Sequence, residues 1–276
     1  MSETRFHRSK IFTVKPWIYF PDKIHIQLSG SMIRLLLFLA GVLVASPEIA
    51  LAGVEEGLAA ASHNDFATAL KEFQPLAEQG SASAQYYLGT LYLNGEGVTR
   101  NAEEAVKWIS KSAEQGFAAA QTDLGLMYFN GEVVSKNDPV AVEWLSKAAT
   151  QGFANAQFLL GLAYLEGTGT ARNETEAFKW FSSASEQGNA AAQYNLASMY
   201  LSGQGTAKNI SEAVKWYTKS AEQGFAPAQF LLGLSYAEGA GVTQSNEESV
   251  KWISRAAKQG YAPAIERLRE AHENNF

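Results

Sequence analysis

A fixed period of 36 residues governs most of this chain. Gln-Gly recurs at Gln79-Gly80, Gln115-Gly116, Gln151-Gly152, Gln187-Gly188, Gln223-Gly224 and Gln259-Gly260. Trp108, Trp144, Trp180, Trp216 and Trp252 keep the same spacing, as do Tyr92, Tyr128, Tyr164, Tyr200 and Tyr236. So do the Ala-Gln pairs ending at Gln85, Gln121, Gln157, Gln193 and Gln229. A register this regular excludes chance, and it constrains the fold to stacked units that each pack on their neighbours.

Each unit reads as two helices. Ala82 to Asn94 places Ala84, Leu88, Leu91 and Tyr92 at helical spacing and stops at Gly95-Glu96-Gly97, which defines helix A. Ala105, Trp108, Ile109, Ser112 and Ala113 form one apolar stripe, which defines helix B. Asn101 with Glu104 predicts a capping box at the start of helix B, repeated by Asn173 with Glu176, Asn209 with Glu212 and Ser245 with Glu248. Asn137 lacks the Glu, but Pro139 suits the first turn. Each Gly of the Gln-Gly pair is expected to close helix B in a left-handed conformation. The Trp side chains are expected to fill the space between layers, with Trp180 buried between helix layers and Trp252 mattering less because it is nearer the end.

The pattern predicts an all-α solenoid of antiparallel helix pairs with five full units, 81–116, 117–152, 153–188, 189–224 and 225–260. Residues 53–80 form N-terminal capping helices, with Phe66 to Gln79 as a helix B, and 261–276 a C-terminal capping helix. In that last helix Ile265, Arg269 and His272 replace the constant Gln, Gly and Tyr, the polar shift that a solenoid end needs.

Residues 32–52 have the three parts of a secretory signal: Arg34, the apolar run Leu35 to Ala45, and the small-residue box Ala50-Leu51-Ala52. Cleavage is expected between Ala52 and Gly53. At ~1.5 Å per residue the run covers only about half of a ~30 Å hydrocarbon core, so no stable membrane span is expected after cleavage. Residues 1–31 read as a dispensable extension or as a misassigned start, Met32 being the favoured one. The expected location is the periplasm or outside the cell.

Residues 1–52 hold six Lys/Arg and three Asp/Glu, leaving 16 basic and 25 acidic side chains and a net charge of −9. Neutralising phosphates needs clustered Lys and Arg, so nucleic acid is excluded as a natural partner. Cys is absent, which removes disulfides, thiolate metal sites and a Cys nucleophile. Beyond the leader there are two His, His63 and His272, near opposite ends of the solenoid, where they cannot share a site. Ser-x-x-Lys, Gly-x-Ser-x-Gly and His-Glu-x-x-His are all missing. The Gly-x-Gly pairs Gly95/Gly97, Gly167/Gly169, Gly203/Gly205 and Gly239/Gly241 lack the third Gly of a dinucleotide fingerprint and read as helix-joining turns. The two glycosylation sequons, at Asn173 and Asn209, fall on predicted N-caps. No cofactor, metal or enzymatic activity is expected.

The run AQYYLGTLYLNGEGVTRNAEEAVKWISKSAEQG resembles the Sel-one-like repeat (SLR), a relative of the tetratricopeptide repeat. The resemblance covers residues 54 to 275. It implies right-handed superhelical stacks that act as adaptors in protein complexes, often in bacterial envelopes. Some Cys-rich relatives are linked to β-lactam chemistry, which the absence of Cys argues against here.

By similarity to tetratricopeptide repeats, helix A lines the concave side. The expected groove positions lie two before and two, five and six after the fixed Leu. They are Tyr86, Thr90, Leu93 and Asn94, then Thr122, Leu126, Phe129 and Asn130. The later units supply Phe158, Leu162, Leu165 and Glu166, then Tyr194, Ser198, Leu201 and Ser202, then Phe230, Leu234, Ala237 and Glu238. An opposing reading has the aromatic and fifth-position residues packing against the next helix. The expected function is a non-enzymatic scaffold binding an envelope or secreted protein; a binder of cell-wall glycan or peptide through the recurrent aromatics is the alternative, and a β-lactamase-like hydrolase a distant third.

Overall fold

The computed structural model describes residues 47–131 and 133–273, which hold thirteen α-helices and no strand. The leading pair is α1 (Pro47–Ser62) and α2 (Phe66–Glu78). Five A/B pairs follow: α3 (Ala82–Asn94) with α4 (Ala102–Glu114), α5 (Ala118–Asn130) with α6 (Asp138–Thr150), and α7 (Ala154–Glu166) with α8 (Glu174–Glu186). Then come α9 (Ala190–Ser202) with α10 (Ile210–Glu222) and α11 (Ala226–Glu238) with α12 (Asn246–Lys258). Helix α13 (Ala262–Glu273) closes the stack. The extensive packing runs in chain order, each helix against its predecessor and successor, as a solenoid requires.

The apolar run at Leu35 to Ala45 lies outside the described residues. Helix α1 starts at Pro47, earlier than the leading pair expected from the sequence, and its backbone passes without a break through Ala52 and Gly53. Among the described residues no helix is long and apolar enough to cross a membrane.

Side chains at the start of each helix B cap it as expected: Asn101 Oδ1 accepts from the N–H groups of Glu103 and Glu104, and Asn137, Asn173, Asn209 and Ser245 each accept from the residue three on. The reciprocal half of the box is different. The cap N–H of Asn101 donates to Tyr92 O of helix A at 2.9 Å, and the same bond joins Asn137 to Tyr128, Asn173 to Tyr164, Asn209 to Tyr200 and Ser245 to Tyr236. The Glu that would otherwise reach back pairs with the Lys three residues on, as Glu104 does with Lys107 at 2.8 Å. The constant Tyr position therefore also anchors the A–B turn through its carbonyl.

That turn needs glycine twice. Gly203 ends α9 at φ +81, and Gly205 sits at φ +66 with its Cα against the Glu174 carbonyl at the first turn of the preceding helix B. A Cβ on Gly205 would overlap that carbonyl. The Gly-x-Gly pairs thus seat each turn on the repeat before it.

Of the stripe expected on helix B, Ala105, Ile109, Ser112 and Ala113 are buried, and the residue after each Trp is the large enclosed one. Ile109, Leu145, Phe181 and Tyr217 are 0–2% exposed, and Ile253 is 4%. Trp180, expected to be buried between helix layers, is only partly buried, as are Trp108, Trp144 and Trp216. Each of these four packs back against the junction with the preceding repeat, with a Lys ammonium over its ring, such as Lys147 at 3.9 Å from the Trp144 centroid. The same orientation holds at Trp252. Because the ring leans on the repeat before it, an end position does not uncover it, and Trp252 is the most buried of the five at 7%. Among the large apolar side chains of α12 and α13, Val250 is 56% and Ile265 48% exposed.

Candidate binding groove

With 3.6 residues per turn, successive side chains of helix A are rotated by about 100°. Ala84, Gln85, Leu88, Gly89 and Leu91 of α3 are buried and define the inward face. Opposite it lie the positions of Thr90 and Asn94, flanked by those of Tyr86 on one side and Tyr87 on the other.

This geometry sorts the expected groove residues into three groups. Asn94, Asn130, Glu166, Ser202 and Glu238 are exposed. Thr90, Leu126, Leu162, Ser198 and Leu234 are partly exposed on the same face. Leu126 is not packed into any of the buried clusters, whereas Leu162 and Leu234 border those of the third and fifth repeats. Ser198 is drawn inward, its hydroxyl 2.9 Å from Tyr217 OH.

The third group packs forward along the stack. Tyr86 and Leu93 lie against the cluster of Leu124 and Met127 in the next repeat, and Phe129, Phe158, Leu165, Tyr194 and Phe230 are likewise partly buried against core clusters. Tyr86 meets Phe117 at 5.3 Å between centroids, Tyr194 meets Phe225 at 5.5 Å and Phe230 meets Tyr261 at 5.7 Å. Leu201 is 40% exposed, while Ala237 is partly buried. Thr122 departs from the groove expectation: it is 4% exposed and its hydroxyl donates to Ala118 O within the helix. The aromatics therefore contribute to repeat stacking, and of the expected groove residues those at the Thr90 and Asn94 positions are the least used by it.

The sequence reading missed the flanking position, occupied by Tyr87, Asp123, Leu159, Asn195 and Leu231. It faces the preceding repeat, so the Tyr86 hydroxyl reaches across the junction and donates to Asp123 Oδ2 at 3.0 Å. Burial pushes the Asp123 carboxyl up to about 6, the Tyr86 hydrogen bond opposing this only in part. Burial, then the Asp123 charge, also raises Tyr86, which stays a neutral donor. The available signal was an acid at a position that is otherwise aromatic, aliphatic or amide.

This carboxyl makes stability pH-dependent with a definite sign. Its folded pKa lies above the ordinary 3.8, so the folded state holds the proton longer than the unfolded chain. The folded state is thus most favoured below about pH 4 and loses that advantage as pH rises towards about 6. We expect Asp123→Asn, which keeps an acceptor for Tyr86, to be more stable than the parent by about 1–2 kcal/mol at pH 7 and equal to it near pH 4. Urea melts of both proteins across that range check this; a difference independent of pH would show that Asp123 does not titrate as described.

Among the described residues no group of three His, Asp or Glu is arranged to hold a metal ion. His63 and His272 are exposed, and His63 Nδ1 lies 2.9 Å from Ala59 O. A separate open depression of about 460 Å³ sits beside Trp216, between α10 and the turn at Gly241-Val242, walled by Lys215 and Lys219. It is the gap between one helix B and the following turn, away from the helix A face.

The sequence matches the Sel1 repeat family at residues 82–117, 118–153, 154–189, 190–225 and 226–261. Among solved structures, a protective antigen present in uropathogenic Escherichia coli strains and displaying an SLR fold is 38% identical, with a TM-score of 0.73. The match covers 79% of this chain but 48% of that protein, so the chain spans about half of its length. A Sel1 repeat protein from Oxalobacter formigenes is 36% identical over 79% of this chain and 86% of its own, also with a TM-score of 0.73. No curated protein matches this chain.

Proposed function

The chain belongs to the Sel1 repeat family, and from that premise we propose that it is a non-enzymatic scaffold that holds a partner protein in the helix A groove, in the bacterial envelope or outside the cell. Proteins of this family are typically protein–protein interaction scaffolds, generally without enzymatic activity. The observation that carries the groove reading is Leu126: an aliphatic side chain on the helix A face that packs into none of the buried clusters, one repeat from Leu162 on the same face. An apolar side chain that stacking leaves open, beside a second that is only partly covered, is what a partner segment buries.

Leu126→Ser combined with Leu162→Ser tests this. Both side chains are partly exposed, so we expect the melting temperature to fall by only a few degrees while binding of an envelope partner recovered with the parent protein is lost. A collapsed fold with no separable binding defect would place these leucines in the stacking core instead. Glycan recognition is the competing reading, and retention on purified peptidoglycan by the parent chain, abolished by the same pair of changes, would favour it.

Export rests on the segment from Arg34 to Ala52. We expect the mature chain to begin at Gly53, leaving Val54, which is 6% exposed, inside the remaining part of α1. N-terminal sequencing of the protein isolated from a periplasmic extract checks this. Residues 1 to 31 still attached to the bulk of the protein would exclude it.

A further inference from the structure

We propose that Asp123 anchors a Lys or Arg side chain of an extended peptide lying along the helix A groove, at the junction of the first and second repeats. The inference rests on the groove reading above and adds the chemistry that the groove selects.

Three observations carry it. The carboxylate is partly buried, yet makes no ion pair among the described residues; its one hydrogen-bond partner there is the neutral Tyr86 hydroxyl, on Oδ2. Oδ1 has no partner among those residues and is not sealed from solvent, so it can still accept from a ligand at the flank of the groove. The stack does not require an acid here, because the same position holds Tyr87, Leu159, Asn195 and Leu231 in the other units, all of them partly buried like Asp123.

An unpaired carboxylate in such a place is unfavourable in the free protein, which the raised proton affinity reflects. A cation brought in by a ligand relieves that cost. Leu126 stands three residues on, one turn along the same helix face, and gives the stem of a long basic side chain or its neighbour an apolar surface beside the charge. Acidic and neutral peptides gain nothing from Asp123, so it discriminates as well as attracts.

The test uses random linear peptides displayed on phage, selected on the full chain and then measured as synthetic peptides against three proteins. They are the parent, Asp123→Asn, and the Leu126→Ser/Leu162→Ser pair, each shown to be folded by circular dichroism and thermal melting. We expect enriched peptides to carry a Lys or Arg whose replacement by Gln weakens binding about tenfold or more, with Asp123→Asn weakening the parent peptide as much and leaving the Gln peptide unchanged. Peptides that bind the parent and Asp123→Asn equally, but lose affinity for the leucine pair, would overturn the Asp123 assignment while keeping the groove. Failure to enrich any peptide, or enriched peptides indifferent to the leucine pair, would overturn the groove reading and this inference with it.

Discussion

Phe181→Ala is expected to destabilise the protein by about 3–5 kcal/mol, the range for truncating an enclosed aromatic ring. The ring is 0% exposed, and Gly161 of the partner helix is bare so that it can approach: a Cβ there would come within 2.7 Å of Phe181 Cδ1 and Cε1. Phe158 adds a tilted ring contact at 6.0 Å. Removing the ring leaves a cavity bounded by α7, α8 and α9, and regular helices cannot collapse into it without moving a repeat. Trp180→Ala, one residue away, should cost less, about 1–3 kcal/mol, since that ring keeps solvent contact and its Nε1 is enclosed without an acceptor. Chemical denaturation of the two variants decides between the stripes: if Trp180→Ala proves the more damaging, the core runs through the Trp position after all.

The order of these two effects shows what the sequence could and could not convey. Constancy across repeats identified Trp180 as structurally required, but constancy does not separate a side chain enclosed within its own pair from one laid against the preceding repeat. The Phe181 position was on the expected stripe through Ile109, but because it varies, with Leu145, Tyr217 and Ile253 in the other units, nothing in the sequence ranked it above the Trp. Helix boundaries were legible because their causes are local: Asn101 caps α4, and Gly95 and Gly116 close α3 and α4 in left-handed conformations. The groove was only half legible. Periodicity gives the angle of Leu126 about its helix, but whether Tyr86 faces a ligand or the next repeat depends on Phe117, which lies 31 residues along the chain. Asp123 was missed for the same reason, since its partner Tyr86 lies 37 residues away.

The constant Gln residues, whose role the sequence left unexplained, lead to the second large effect. Gln157 is 6% exposed; its Nε2 donates to Ala149 O at the end of the preceding helix B, and its Oε1 accepts from Gln187 of its own helix B at 2.8 Å. The arrangement recurs from Gln85 with Ala77 and Gln115 to Gln229 with Ala221 and Gln259, so a ladder of amides ties every A helix to the B helices on both sides. In α13 Ile265 takes the place of the Gln and is 48% exposed. Gln157→Leu is therefore expected to cost about 2–3 kcal/mol: two hydrogen bonds go, and the buried rung keeps a branched apolar group beside the Gln187 amide and the Ala149 carbonyl. The rung has a second signature, because Gln187 is exposed and its released amide can turn to water. Gln187→Leu alone should cost less than Gln157→Leu, and the double variant should cost less than the two separately, by a coupling of about 1 kcal/mol. Urea denaturation of the four proteins in that cycle gives the number. Strict additivity would mean that the two amides do not act as a pair, and a stabilised Gln157→Leu would mean that the ladder fixes the register of the repeats at a cost in stability, as buried polar groups do in some coiled coils.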